Sequence, residues 1–357
     1  VSAQRIAVAR LHRQHLATTP TLTSAVDVVR ALGAVQSQDF AGACWAIGMR
    51  STGVAEAAVH RAFDDGEILR THVLRPTWHF VPAEDLAWMQ QLTGGRVVAL
   101  MASYNRTLGL TPAVYRKSRA VIERALTEQP YLTRTQLKAA LDRARINTEG
   151  TQRLAHLVMQ AEVDGLICSG PRMGKQHTYA LLSTRAPSPR RLDGDEALAE
   201  LTRRYFASRA PATVQDFAWW SGLTVSRCRA GVQLLGRELV PLTIDDVQYH
   251  VPPEFELPRA ANTSVHLLPN YDEFFIGYRD RSAIAQRLQS VGLVTGGSAL
   301  IGHVVTVGGQ LVGGWKRITR ESSTEVVLAL QTALSPAERR RLDARVTQLQ
   351  AFVGRGD

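Results

Sequence analysis

Cysteine is scarce in this chain of 357 residues: Cys44, Cys168 and Cys228 stand far apart, without the paired spacing of a zinc or redox motif or the density of a disulfide scaffold. They read as buried thiols in a reducing compartment. Lysine is scarcer than the charge suggests, with Lys117, Lys138, Lys175 and Lys316 the only four among 42 basic residues. No run of eighteen apolar residues occurs and no apolar signal core opens the chain, so neither a membrane anchor nor export is expected, and the cytoplasm is the expected location. Also missing are a glycine-rich phosphate loop ending in Lys-Ser/Thr, His-Glu-x-x-His, and a Gly-x-Ser-x-Gly elbow. His12 and His15 share a helix face but have no third ligand near them in sequence, so no metal and no cofactor is expected.

What is present is apolar mass and positive charge. An apolar fraction of 45% supports a substantial core spread over more than one domain. The net charge of +10 favours a polyanionic partner, because neutralising phosphates releases counterions. Arginine supplies almost all of it. Its planar fork suits phosphates and base edges, although a GC-rich genome enriches arginine through codon usage alone.

One layout recurs three times: an apolar-striped helix, an acidic or glycine break, then two short strands. The clearest copy has a short helix marked by Leu137 and Leu141, then Thr151 to Val163 with Leu154, Leu157, Val158 and Ala161 at helical spacing. Asp164-Gly165 stops it, and Leu166 to Cys168 and His177 to Ala180 flank a Gly/Pro/Arg/Lys tip. That is the shape of a winged helix. An earlier copy runs from Val54 to Asp64 and then through Ile68 to Arg70 and Thr77 to Val81. A later one runs through Val214 to Trp220, Val225 to Leu235, and strands around Asp245-Asp246.

Around these copies, a helix over residues 1–20 ends before Pro20, and Thr23 or Ser24 caps a second helix. Residues 84–126 read as helical with breaks at Gly94-Gly95 and Thr111-Pro112. Ala186-Pro187-Ser188-Pro189-Arg190-Arg191 is the best boundary candidate. Strands at Val265 to Pro269, at His303 to Val307 with Gln310 to Trp315 across Gly308-Gly309, and at Glu325 to Leu330 precede a last helix from Pro336 to Phe352. The expected class is α+β: N-terminal helices with a first winged unit (1–128), a second unit (129–186), a third (192–257) and a small β-rich module (258–357).

Gln36-Ser37-Gln38-Asp39 sits where the second helix breaks at Gly33. In an extended segment Gln36 and Gln38 point the same way, so two carboxamides can hold one water. An amide is too weak a base for full deprotonation, which suits a reaction whose nucleophile needs placing only. Hydrolysis of the N-glycosidic bond to a cationic, alkylated purine is such a reaction. The base leaves already charged, and amide oxygens favour the oxocarbenium-like sugar by about 2–4 kcal/mol per group. Asp39 can polarise the same water or complement the sugar cation. On composition alone, the stretch reads as just a polar helix end, and the chemical reading is the minority one.

Gln36-Ser37-Gln38 after Leu32-Gly33-Ala34-Val35, with Arg70 to His79 and Leu267 to Arg281 following in order, resembles the AlkZ family of winged-helix DNA glycosylases along nearly the whole chain. The resemblance implies three tandem winged helices with a β-rich module. It also implies removal of N7-alkylated purines and unhooking of interstrand crosslinks made by natural-product alkylators. The family's functional motif, glutamine, a variable residue, glutamine, falls on Gln36 and Gln38. A related branch carries aspartate second; Gln38 sets this chain apart from it. The middle residue is usually apolar, and Ser37 departs from that. An N7 adduct projects into the major groove and a crosslink obstructs base extrusion, so an open, arginine-lined cleft is expected rather than a tight pocket.

Duplex DNA carrying alkylated purines is therefore the expected partner, with no membrane and no obligate protein partner, and a nucleoid-associated place in the cytoplasm. Arg70, Arg75 and His79 around the first wing, Arg172 and Lys175 in the second, and Lys316 and Arg317 beyond the Gly308-Gly309 hairpin are the candidate DNA contacts. Trp78 and Phe80 are expected in the core. The hairpin either enters a groove as a β-ribbon or is an ordinary sheet turn. Asp272, Asp280 and Arg281 form either a buried ion network or a DNA contact. No lysine neighbours the glutamines to form a Schiff base, so a monofunctional glycosylase is expected. The alternatives are a non-catalytic winged-helix DNA-binding protein or transcription regulator, and a scaffold for repair partners.

Overall fold

A computed structural model of the chain describes every residue except 1, 18–19, 151, 260–261, 293–301, 320–323 and 355–357. The expected helix start at Thr151 lies outside the described residues. In order the elements are α1 (Ser2–Arg13), α2 (Ala25–Leu32), β1 (Val35–Gln36), α3 (Phe40–Met49), α4 (Glu56–Asp64), β2 (Ile68–His72), β3 (Trp78–Pro82), α5 (Leu86–Thr107) and α6 (Pro112–Glu128). There follow β4 (Leu132–Thr133), α7 (Arg134–Arg143), α8 (Arg153–Val163), β5 (Ile167–Ser169), β6 (Thr178–Leu181), α9 (Leu182–Arg185), α10 (Gly194–Arg209), α11 (Val214–Ser221), α12 (Val225–Leu235), β7 (Val240–Ile244) and β8 (Val247–Val251). The last part holds β9 (Val265–Leu268), α13 (Glu273–Ile276), α14 (Gln286–Gln289), β10 (Val304–Val307), β11 (Gln310–Thr319), β12 (Thr324–Leu330) and α15 (Pro336–Gly354). Helices dominate and every described sheet is small. No described helix is long and apolar enough to cross a membrane.

The chain divides into two compact units, one of Val1–His60, Ala199–Trp220 and Thr224–Asp357, the other of Arg61–Leu198 with Ser221–Leu223. The proline-rich linker at 186–191 lies inside the second unit. The unit boundaries fall within α4 after His60, within α10 after Leu198 and on either side of Ser221–Leu223, and in α4 and α10 a continuous helix hides them from any reading of composition.

In the first unit an antiparallel sheet runs in the order β12-β11-β10-β9. Gly308 and Gly309 take φ of 57° and 77°, the positive angles a two-residue hairpin requires. This turn is packed. A Cβ on Gly308 would lie 2.4 Å from the Asn262 carbonyl oxygen, and one on Gly309 would lie 3.1 Å from the Ala7 Cβ of α1. The hairpin tip is thus an interior turn and cannot enter a DNA groove. α3 is buried from Gly42 through Met49, as expected of a helix apolar on every side. Trp45 donates its indole N–H to the Leu267 carbonyl at 2.7 Å and meets Phe352 of α15 edge-on at 5.3 Å. Gly48 leaves room for the same ring, since its Cβ would sit 2.4 Å from Phe352 Cε2. The β7–β8 hairpin turns on Asp245 and Asp246, both at positive φ.

In the second unit β2 pairs antiparallel with β3, and β4, β6 and β5 form a three-stranded sheet. α5 runs unbroken through Gly94-Gly95, contrary to the sequence expectation. Gly94 serves close packing: a Cβ there would lie 3.1 Å from Val163 Cγ1 and 3.2 Å from the Val163 carbonyl of α8. The expected break at Thr111-Pro112 is present, with Thr111 capping α6 and Pro112 in its first turn. Thr133 and Gln136 form a capping box on α7. The repeated helix-then-hairpin order stands at α4-β2-β3, at α7-α8-β5-β6 and at α11-α12-β7-β8.

His266 on β9 is wholly buried, donating its Nε2–H to the Leu16 carbonyl at 2.8 Å, and burial pulls its pKa down to about 4. Below pH 6.5 the unfolded chain gains a proton at this residue that the folded chain refuses. Its contribution to stability is therefore intact above that pH, falls by up to about 1.4 kcal/mol per pH unit, and levels off below about pH 4. His266→Gln should unfold more easily at pH 7 yet show a shallower loss of urea-unfolding free energy between pH 6.5 and 4; an unchanged slope would contradict this.

Candidate functional site

The Gln-Ser-Gln-Asp segment is positioned at both ends by helix chemistry. Ser24 caps α2 by accepting from the Asp27 N–H at 3.1 Å, and Gly33 ends that helix at φ 79°. A side chain at Gly33 would also press on Arg204 and Trp220, whose atoms lie 3.5 and 3.6 Å from a Cβ there. At the other end Asp39 is the N-cap of α3, accepting from the Gly42 N–H at 3.1 Å. Asp39 thus has a structural task whatever else it does.

Between these ends the first two residues are buried and the third opens to solvent, so the two glutamines do not share the exposure that an evenly extended segment would give them. Gln36 is 5% exposed, Ser37 is fully buried and Gln38 reaches solvent. Ser37 occupies an enclosed position where an apolar residue would also fit. Behind Gln36 lies Glu273, itself fully buried: its Oε1 accepts from the Gln36 backbone N–H at 2.9 Å. Oε2 accepts from Arg209 at 2.5 Å and from the Trp220 indole at 2.8 Å. Arg209 also donates to the Leu32 carbonyl at 2.7 Å and lies over the Trp220 ring at 4.3 Å. The neighbouring Asp272 receives two 2.8 Å bonds from the enclosed Arg50 of the α3 C-terminus. The expected ion network is real in part: Asp272 belongs to it, while Asp280 is exposed and Arg281 lies over Phe275, 4.7 Å from its ring. Glu273, Arg209 and Arg50 were not foreseen. Adjacent acids inside the apolar run Leu267 to Tyr278 were the available signal; their arginine partners, 64 residues from Glu273 and 222 from Asp272, left none.

His303 is a second unforeseen neighbour. Its Nδ1 accepts from the Asn270 N–H at 2.9 Å, which leaves the proton of the neutral ring on Nε2, and it packs on Trp315 at 4.4 Å. Burial lowers its pKa, with the charge of Asp39 opposing and that of Arg317 adding to the effect.

The candidate DNA contacts fare differently. His79 is fully buried, its Nδ1 bonded to the Thr77 carbonyl at 2.9 Å, so a direct phosphate contact by this ring is ruled out by enclosure. Trp78 is the half-exposed neighbour instead, covered by Arg70 at 4.2 Å and donating to Glu162, which also holds His72; Phe80 is core. Arg75 is half-buried. Arg172 grips Asp64 through its Nε and a second nitrogen, the shortest bond 2.6 Å, whereas Lys175 is exposed. Lys316 is exposed, and Arg317 lies 3.6 Å from Glu56.

A mixed chain of helices and small antiparallel sheets with these features is an enzyme that acts on DNA, as its relatives show. A family model described as DNA glycosylase AlkZ-like matches residues 29–352, and the chain belongs to that family. It is 24% identical over 324 residues to the interstrand DNA cross-link repair glycosylase of Streptomyces sahachiroi, covering 87% of each chain. The solved Streptomyces sahachiroi DNA glycosylase AlkZ shares the fold, with a TM-score of 0.79 at 23% identity over 99% of this chain and 97% of that one.

Because Asp39 caps α3, Asp39→Ala should lower stability by about 0.5–2 kcal/mol, whereas Asp39→Asn, an equally good cap, should change it by a few tenths. Urea unfolding at neutral pH measures both; equal losses would mean that the negative charge, and not the cap, is what the helix requires.

Proposed function

We propose that this DNA glycosylase hydrolyses the bond between deoxyribose and an N7-alkylated purine, with the attacking water placed by the carboxamides of Gln36 and Gln38. The observation that carries the reading is Gln38 at the solvent boundary, one residue before a capped helix start and two after the buried Glu273–Gln36 bond. A rigid backbone beneath two amides supplies orientation without an acid or base, which is what a leaving group already bearing positive charge requires. Asp39 adds negative charge beside the sugar cation while capping α3. Ser37 is fully buried and Gln36 nearly so, which makes Gln38 the exposed member of the pair and Gln36 the anchored one.

The same reading makes the three helix-and-hairpin units winged helices that lie along duplex DNA. Lys175 and Lys316, both exposed, are the lead phosphate contacts, with Arg70, Arg75, Arg172 and Arg317 behind them. The enzyme is monofunctional, since no lysine adjoins the glutamines. It works on monoadducts and, as the name of its Streptomyces relative suggests, on interstrand crosslinks. No metal or cofactor is called on. It acts in the cytoplasm, on the nucleoid.

Gln36→Ala/Gln38→Ala should release no free base from DNA carrying N7-methylguanine or a bulkier N7 adduct, by about 10²–10³-fold or more in single-turnover rate, while gel-shift affinity for the same duplex stays within about twofold. Wild-type base release by that double variant would remove the mechanism. Strong binding of one undamaged sequence by the unaltered protein, with no base release from any alkylated duplex, would point to a regulator instead.

A further inference from the structure

The turn that carries Gln36 is very short. β1 spans two residues, and α2 ends only three residues earlier, at Leu32. Both ends of residues 32–36 are held by one buried ion pair. Arg209 donates to the Leu32 carbonyl at 2.7 Å and Glu273 accepts from the Gln36 N–H at 2.9 Å, while the two side chains meet at 2.5 Å with no exposure of either. Trp220 closes the arrangement by donating to Glu273 at 2.8 Å while its ring lies under the Arg209 guanidinium. A fully enclosed pair of charges is a costly way to gain stability, because hydrophobic residues of the same volume generally do as well or better. What ions provide here, and apolar side chains cannot, is a directional acceptor for one particular backbone N–H.

We propose that Arg209 and Glu273 are positioning residues for the glycosylase reaction: a clamp that fixes the backbone of Gln36, and through it the angle at which its carboxamide meets the water. The clamp rests on the reading of Gln36 and Gln38 as the water-holding groups. It does not touch substrate. Its effect belongs to the chemical step, because a displacement of about 1 Å at a placed nucleophile costs up to about 100-fold in rate.

Two variants separate placement from stability. Arg209→Met/Glu273→Met removes both charges and keeps an apolar fill, so it should melt near the wild type, yet it leaves the Gln36 N–H without an acceptor. Glu273→Gln keeps an amide oxygen for that N–H but strands the Arg209 charge, so it should melt lower. The expected pattern is crossed. The double Met variant loses about 10- to 100-fold in single-turnover base release with DNA affinity unchanged, while Glu273→Gln, assayed well below its own melting temperature, stays within about threefold. Hydrogen exchange at the Gln36 amide should follow the rate and not the melting temperature. Rates that rank with melting temperature instead would reduce the pair to structural support and overturn the proposal. If the double Met variant does not fold, Glu273→Gln decides alone, a loss beyond tenfold counting against the clamp. The exchange measurement tests the clamp even where Gln36→Ala/Gln38→Ala proves fully active, so the two failures are distinguishable.

Discussion

Two adjacent carboxylates, Asp272 and Glu273, enter the interior of the first unit and each meets an enclosed arginine. The rest of that unit is arranged around this constraint. Arg50 reaches Asp272 from the C-terminal end of α3 and also bonds the Gln14 carbonyl and side chain, tying α3 to the segment after α1. Arg209 reaches Glu273 from the end of α10 and holds the end of α2. Removing any single member would leave a charge without a counter-ion in a medium that solvates it poorly, so the two residues of each pair stand or fall together. Short connections from distant parts of the chain are thereby locked to one short segment, residues 272–273.

That frame suits the reaction proposed for this chain. A glycosylase acting on a base that departs as a cation has little proton transfer to perform, and its rate is set by how well a water and a few dipoles are placed beforehand. Placement requires stiffness behind the reacting groups. Here the backbone of Gln36 is bonded to a buried acid, Ser37 is enclosed, and Asp39 is committed to the first turn of α3. Gln38 is the exposed residue of the motif. Beside the motif, burial lowers the pKa of the half-buried His303, an effect that the charge of Asp39 opposes.

Much of the architecture was legible along the chain because it is written in local chemistry. The cap at Ser24, the break at Thr111-Pro112, the Gly308-Gly309 turn and the Asp245-Asp246 turn each act within a few residues of themselves. Glycine was ambiguous for a physical reason. Gly94 looks like a helix breaker and is instead a contact surface for Val163, a use visible only once α8 is laid beside α5. Alternation misled in β3 for a similar reason: Trp78 is partly open and His79 enclosed, because what decides a strand's buried face is the element packed on it. The hairpin at Gly308-Gly309 was correctly recognised as a turn, but its burial against α1 depends on residues some three hundred positions away.

The sequence by itself determined the element types, the turn chemistry, the surplus of arginine and the motif that marks the family, since propensity, capping and charge are properties of neighbours. Tertiary structure alone decided which arginines are spent inside and which face outward, that the motif's first glutamine is anchored by Glu273 while its second meets solvent, and where one unit gives way to the other. Those outcomes depend on pairings across up to 237 positions, and the energy of a buried charge is set by what surrounds it in space, which no local pattern encodes.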